Sequence, residues 1–150
     1  MLELRAGTGK HQVELKLWDT GNGWVGSLTG GEAPHVGGAV LAVPRPSLTG
    51  GGVSCDLWLI PVPGHLDNDV AAPLAKELCS RLGVPVSLTA GIHIDQAGAE
   101  DIAQIRANCE AVGREFFVRQ ELDPGLTRRG LGGLRGQGLP DGVQRPVAPD

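Results

Sequence analysis

The sequence predicts an α+β domain with two helices packed on one face of an antiparallel sheet. Residues 11–20 alternate between apolar and polar side chains, with Val13, Leu15 and Leu17 on one side, as a half-buried strand requires. The Gly-Asn-Gly sequence at residues 21–23 is typical of a tight hairpin turn. Two later segments instead repeat their apolar residues at helical spacing. An antiparallel hairpin followed by amphipathic helices indicates the α+β class.

Further strands are expected after the hairpin. Residues 24–28 predict the returning strand, and residues 38–43 predict a third strand that stops at Pro44-Arg45-Pro46. A fourth strand is predicted over residues 53–61, after three consecutive glycines at positions 50–52. We interpret this part of the chain as antiparallel sheet.

The first helix is predicted from apolar residues at every fourth position between residues 70 and 82. Asp67 and Asp69 are candidate N-caps, and Gly83 is expected to end the helix. Pro73 fits only if it lies in the first turn, where its missing amide hydrogen is not needed. A short strand over residues 84–90 and a second helix over residues 99–121 complete the predicted order ββββαβα.

Length and composition set the domain organisation. A chain of 150 residues fits one domain, which we place at residues 1–122. Residues 123–150 are rich in glycine, proline and arginine and have no apolar period, so they predict a disordered tail.

Charge and cysteine content exclude several functional classes. A net charge of −4 without a basic cluster in the domain argues against nucleic-acid binding. The three cysteines are widely spaced and lack a CxxC pair, which favours neither a disulfide framework nor a zinc ribbon. No targeting segment or long apolar run is present, so we expect a cytoplasmic protein that does not enter a membrane.

Three histidines lie in loops beside glycine or proline, where binding groups are commonly found. They are His35 in the Ala-Pro-His-Val-Gly-Gly segment, His65 after Gly64, and His93 in the Gly-Ile-His-Ile-Asp segment. The adjacent glycines would let a ligand approach the backbone closely. With Asp95, these histidines are also suitable ligands for a divalent metal, and His35, His93 and Asp95 are the candidate metal set.

The same segments, together with Pro44-Arg45-Pro46-Ser47, resemble the LpdD-like family, named for the small D subunit of gallate decarboxylase. The resemblance spans about residues 4–117. Gln96 departs from the Asp-Asn pair that commonly follows the last histidine in the family. The resemblance implies a fold similar to proteasome assembly chaperones and a non-catalytic carrier of prenylated FMN, in its reduced form. Its partners would be a flavin prenyltransferase and a UbiD-like decarboxylase. Independently of the resemblance, we expect a homodimer, because a small single-sheet domain leaves a face or an edge to be covered.

The resemblance also implies a cofactor-binding pocket. One wall would contain the Ala-Pro-His-Val-Gly-Gly residues and a second wall the Gly-Ile-His-Ile-Asp residues, with phosphate or isoalloxazine contacts from two further side chains. The expected site residues are Pro34, His35, Gly37, Gly38, Arg45, His65, Gly91, His93 and Asp95.

Two alternative functions remain open from the sequence. The first is a small metal-dependent enzyme built on His35, His65, His93 and Asp95, which would contain stoichiometric metal. The second is an assembly chaperone of a decarboxylase complex, which would bind no cofactor and would expose an apolar patch.

Overall fold

The computed structural model describes residues 1–128, which form a six-stranded sheet, three α-helices and a short 3-10 helix at Gly9–His11. All predicted strands and both predicted helices are present, which confirms the α+β class. A first strand, Leu2–Ala6, was not expected from the sequence. The elements are β1 Leu2–Ala6, β2 Val13–Asp19, β3 Trp24–Gly31, β4 Gly38–Pro46, β5 Val53–Pro61, α1 Asn68–Leu82, β6 Val86–His93, α2 Ala99–Leu122 and α3 Gly125–Arg128.

The helix α2 ends at Leu122, and the domain boundary predicted there stays a prediction. The short helix α3 occupies the first part of the segment predicted as a tail, and Leu126 packs against the core. The remainder of that prediction, residues 129–150, lies outside the described residues. Among residues 1–128, no helix combines the length and apolar character needed to cross a membrane.

The sheet is mixed, with strand order β1-β2-β3-β6-β4-β5. Four of its pairs are antiparallel, as predicted, but β3 and β6 are parallel. The exception arises because α1 carries the chain from the edge strand β5 over β4, so that β6 enters the sheet between β3 and β4. The last strand in the chain is therefore central in the sheet. The predicted similarity to proteasome assembly chaperones stays a prediction.

Both helices cover the same face of the sheet, with α2 over β1 and β2 and α1 over β4, β5 and β6. The core between them is aliphatic, apart from a small aromatic group. The ring of Phe116 is fully buried and meets Trp24 edge to face, with 5.6 Å between ring centroids. This packing fixes α2 against the sheet.

The opposite face of the sheet has no helix over it among the described residues. Its strand register places Trp18, Val25, Leu41 and Trp58 in one row across the sheet, with Ser87 of β6 between the inner pair. Each of the four large side chains is at least 41% exposed. We call this row, together with Ile60 of β5, the open apolar face.

Two local predictions for α1 need correction. Asp67 occupies the N-cap position, but its side chain makes no capping hydrogen bond. Pro73 lies beyond the first turn, because the helix begins at Asn68. Gly83 ends the helix as predicted: it adopts a left-handed conformation with φ of 68° and donates its N–H to the Cys79 carbonyl at 2.8 Å.

Candidate functional site

The three histidine-containing loops meet at one end of the sheet. Since β3 and β6 are parallel and β4 runs the other way, the ends of β3 and β6 lie beside the start of β4. The end of β5 reaches the same place, because Pro61 pairs with Gly38. The topology thus brings the loops that contain His35, His65 and His93 to the same end of the sheet.

Two of these histidines form a compact cluster with Asp67. The Nε2 atom of His35 lies 2.9 Å from Nδ1 of His65. The Asp67 Oδ2 atom lies 3.4 Å from the first nitrogen and 3.5 Å from the second. Asp67 is only 8% exposed, whereas the two imidazoles are partly accessible. We call these three residues the His-His-Asp cluster.

Sequence reasoning assigned Asp67 to a helix cap and missed its place in the cluster. Its Oδ1 atom accepts a hydrogen bond from the backbone N–H of Ile92 at 2.7 Å, which leaves Oδ2 facing the histidines. The available signal was its position two residues after His65, immediately before a helix. An aspartate in that context is ambiguous, since most such residues do cap.

His93 and Asp95 form a separate pair at the edge of the cluster. The His93 Nε2 atom lies 2.8 Å from Asp95 Oδ1, as their alternation along an extended segment allows. The ring of His93 lies 6.2 Å from that of His35, centroid to centroid. The backbone N–H of Asp95 donates to Glu32 at 2.9 Å, which ties this segment to the end of β3. The candidate metal set is therefore split between two groups.

Gly37, Gly38 and Gly91 were expected to let a ligand approach the backbone, but in the structure they face protein atoms. A Cβ atom placed on Gly37 would lie 1.8 Å from Asp67 Oδ2, and one on Gly91 would lie 1.8 Å from the His35 carbonyl oxygen. At Gly38 the nearest atom would be Asn68 Oδ1, at 2.3 Å. These glycines let three segments of the chain pack closely around the cluster.

A cavity of about 370 Å³ adjoins the cluster, between the β5–α1 loop, the end of β6 and the start of α2. His65, Asp67 and His93 lie in its wall. The cavity is also lined by a cation, Arg106, whose guanidinium lies 3.7 Å from the Asp69 carboxylate. Its apolar wall consists of Leu66, Val70, Ile92, Ile94, Ile102 and Ile105.

Asp101 closes the cavity on the α2 side and is held by several hydrogen-bond donors. Its Oδ1 atom lies 2.8 Å from Lys10 Nζ and 2.7 Å from His11 Nε2, while Oδ2 accepts the N–H of Gly98. The hydrogen bonds from Lys10, then His11, then Gly98 lower the pKa of the Asp101 carboxyl well below its usual value. The carboxylate thereby fastens the β1–β2 connection to the start of α2.

Arg45 and Pro34 lie apart from the cavity. Arg45 is seven residues along β4 from Gly38, a distance of about 23 Å in an extended strand. Its Nε atom donates to Asp56 Oδ1 at 2.6 Å. Pro34 is exposed in the β3–β4 loop and does not line the cavity. Arg106, a basic residue that lines the cavity, was not among the expected site residues.

The chain matches a known protein family. A family model described as the prenylated flavin chaperone LpdD-like domain matches residues 7–121. That range includes the His-His-Asp cluster and all residues that line the adjoining cavity. A comparison with curated proteins finds no match.

Proposed function

Because the chain belongs to the prenylated flavin chaperone LpdD-like family, we propose that it carries reduced prenylated FMN to a UbiD-like decarboxylase. The single observation that supports this best is the cavity beside the His-His-Asp cluster, which combines an apolar wall with imidazole and guanidinium groups. A carrier holds its cargo and releases it, so no nucleophile is required. The role is therefore non-catalytic.

The cavity suits a flavin ring system in size and chemistry. Small-molecule sites commonly have volumes of about 300–1,000 Å³ and apolar walls with a few polar groups. The Ile102 and Ile105 side chains on α2 would contact the face of the isoalloxazine ring, and His65 and His93 would contact its polar edge. An apolar enclosure also limits the access of water and oxygen to a reduced flavin.

The phosphate of the cargo requires a cationic partner, and Arg106 meets this need better than Arg45. The Arg106 guanidinium lines the cavity, and its ion pair with Asp69 is long, at 3.7 Å, and exposed on both sides. Such a pair contributes little stability and is readily exchanged for a phosphate. Arg45 is already held by Asp56 at 2.6 Å.

Transfer requires a rim that a partner can reach. Leu66, which is 79% exposed, and Ile102, which is half exposed, lie at the cavity and leave such a rim. The decarboxylase would contact this rim and accept the cargo, and a flavin prenyltransferase would supply it.

The homodimer forms the second part of the proposal. The edge strand β5 exposes Trp58 and Ile60, whereas the other edge strand, β1, carries the charged residues Glu3 and Arg5. Charged residues on an edge discourage pairing, while a long apolar edge favours it. A second copy would cover β5 and the open apolar face. Trp58→Lys should convert a dimer into a monomer, as measured by light scattering, whereas Val118→Lys, at a similarly exposed apolar position on α2, should not.

The first experiment is an anaerobic titration with reduced prenylated FMN beside plain FMN, followed by absorbance and native mass spectrometry. Saturable, selective binding of the prenylated form is the expected result. Ile102→Asp should weaken it, and Val118→Asp should not, because both side chains are 49% exposed on α2 but only Ile102 lines the cavity. Equal affinity of both variants would place the cargo elsewhere.

Failure to bind either flavin would overturn the carrier function. Capture of a decarboxylase subunit by the flavin-free chain would then favour the assembly chaperone. Activation of an apo-decarboxylase by the loaded chain, measured as decarboxylation, would support delivery.

A further inference from the structure

We propose that the His-His-Asp cluster is a binding site for a divalent transition-metal ion of the zinc class. The site consists of His35 Nε2, His65 Nδ1 and Asp67 Oδ2. It differs from the candidate metal set expected from the sequence, because His65 and Asp67 take the place of His93 and Asp95. The inference goes beyond flavin binding and does not depend on it.

The spacing of the three atoms supports a shared ion. Ligand atoms bound tetrahedrally to zinc at about 2.0–2.2 Å lie about 3.3–3.6 Å from one another. The two distances to Asp67 Oδ2, 3.4 and 3.5 Å, already have this value. The two histidine nitrogens, at 2.9 Å, need to separate by only about 0.4 Å.

The remaining polar atoms of two ligands are already held by the backbone. The carbonyl oxygen of Ala33 accepts a hydrogen bond from His35 Nδ1 at 3.0 Å, which directs the Nε2 lone pair of a neutral imidazole toward the cluster. Asp67 Oδ1 accepts the Ile92 N–H, which leaves Oδ2 for the ion. Such outer hydrogen bonds orient the ligands of known metal sites.

The chemistry of the ligands selects the kind of ion. Two imidazoles and one carboxylate suit zinc and related transition metals, whereas magnesium and calcium prefer oxygen ligands alone. An ion would also compensate the buried charge of Asp67, which is only 8% exposed. Three protein ligands leave a fourth position open.

The position of the site gives it a structural role in the cavity. His35 belongs to the β3–β4 loop, while His65 and Asp67 belong to the β5–α1 loop and line the cavity. An ion would join these loops and stiffen one wall of the cavity. Tighter cargo binding in the presence of metal would follow, and this last consequence alone rests on the proposed function.

The test is a metal titration of the full chain after chelator treatment, with Zn²⁺ followed by calorimetry and Co²⁺ followed by visible absorbance. The expected result is one ion per chain with a tetrahedral Co²⁺ spectrum. His65→Ala should lower the affinity by more than about 100-fold, since even outer-shell partners contribute about 10- to 100-fold. His65 is partly exposed, so circular dichroism should find this variant folded.

His11→Ala is the matched control, because that imidazole belongs to the separate pair with Asp101. Its affinity for both metals should equal that of the parent chain. The absence of saturable binding would overturn the proposal, and so would an equal loss of affinity in the His93→Ala and His65→Ala variants. Flavin titrations in excess chelator measure the carrier function separately, so that failure of one proposal does not conceal the outcome of the other.

Discussion

The Asp67 carboxylate accepts the backbone N–H of Ile92 at 2.7 Å and so joins the loop before α1 to the end of β6. The two residues are 25 positions apart in the chain, and Asp67 is itself a member of the His-His-Asp cluster. One carboxylate therefore holds the backbone of β6 with one oxygen and faces two imidazoles with the other. Replacement of Asp67 should therefore affect both the packing at the end of β6 and the His-His-Asp cluster.

Asp67→Ala should destabilise the fold by about 1–3 kcal/mol, because it leaves the Ile92 N–H without its partner in a mostly buried site. The free energy of unfolding in urea measures the effect. Asp69→Ala is the control: Asp69 is exposed and forms a long ion pair with Arg106, so its removal should change stability by less than about 0.5 kcal/mol. Equal stability of Asp67→Ala and the parent chain would contradict the role given to this bond.

Gly91→Ala should also destabilise the fold, by about 1–3 kcal/mol, since the added Cβ would lie 1.8 Å from the backbone oxygen of His35. That oxygen belongs to the main chain and can move only with its loop. Gly51→Ala provides the comparison, because a Cβ there meets no atom within 4 Å. Thermal unfolding of both variants measures these changes in stability. A loss of stability in Gly51→Ala but not in Gly91→Ala would contradict the prediction.

Arg106→Ala should weaken the binding of prenylated FMN by about 10- to 100-fold. This loss corresponds to the contribution of a hydrogen bond to a charged group, which is about 1.5–3 kcal/mol. Arg45→Ala should leave the affinity unchanged, because Arg45 pairs with Asp56 away from the cavity. Anaerobic titration of the two variants side by side gives the comparison. The reverse order of affinities would restore Arg45 as the phosphate partner.

The three cysteines should be inert toward a thiol reagent at pH 8 in the folded protein. All three are free and buried, and burial raises the pKa of Cys79 to about 12 and that of Cys109 to about 12. Since the thiolate is the reactive form, almost none is present at Cys79 and Cys109 at pH 8, while Cys55 is shielded from the reagent by its burial. A spectrophotometric thiol assay should find no rapid reaction in buffer and three equivalents in denaturant. Rapid modification of one equivalent in the native chain would contradict the packing around that residue.

The Asp101 carboxyl should make the free energy of unfolding depend on pH. The pKa of its carboxyl is lowered in the folded state, first by the hydrogen bond from Lys10, so its contribution is complete above the unfolded-state pKa and is lost as the pH falls toward the folded-state value. Asp101→Asn should be less stable than the parent at pH 7, and the difference should shrink as the pH is lowered through the acid range. Chemical unfolding at several pH values measures it, with Glu100→Gln as a neighbouring control. A difference in stability between the two proteins that grows as the pH falls would contradict this prediction.

The fold class and most elements could be predicted because their signals are local. Strand alternation in β2, the glycine turn after it and the apolar periods of α1 and α2 each depend on neighbouring residues. The family was likewise recognisable from short segments around His35 and His93, and the family match confirms it. The strand β1 was missed because it has only five residues.

Other features depend on contacts between distant residues and could not be predicted in this way. The parallel pairing of β3 with β6 depends on where α1 returns the chain. The prolines at positions 44 and 46 were expected to end β4, yet the strand continues, because β6 pairs with β4 only as far as Ala42 and leaves that side free. The same limitation explains why Arg45 was expected near the cavity and Asp67 was not.

The central position of β6 has a consequence for biosynthesis. During translation, β3 and β4 emerge long before β6, which must then insert between them as their shared neighbour. Only at that moment can the loop with His65 and Asp67 bond to the Ile92 amide, and the loop with His35 bond through the Gly37 N–H to the Ala90 carbonyl. A nascent chain that ends before residue 93 thus lacks the complete central strand of the sheet and the Ile92 amide that holds Asp67.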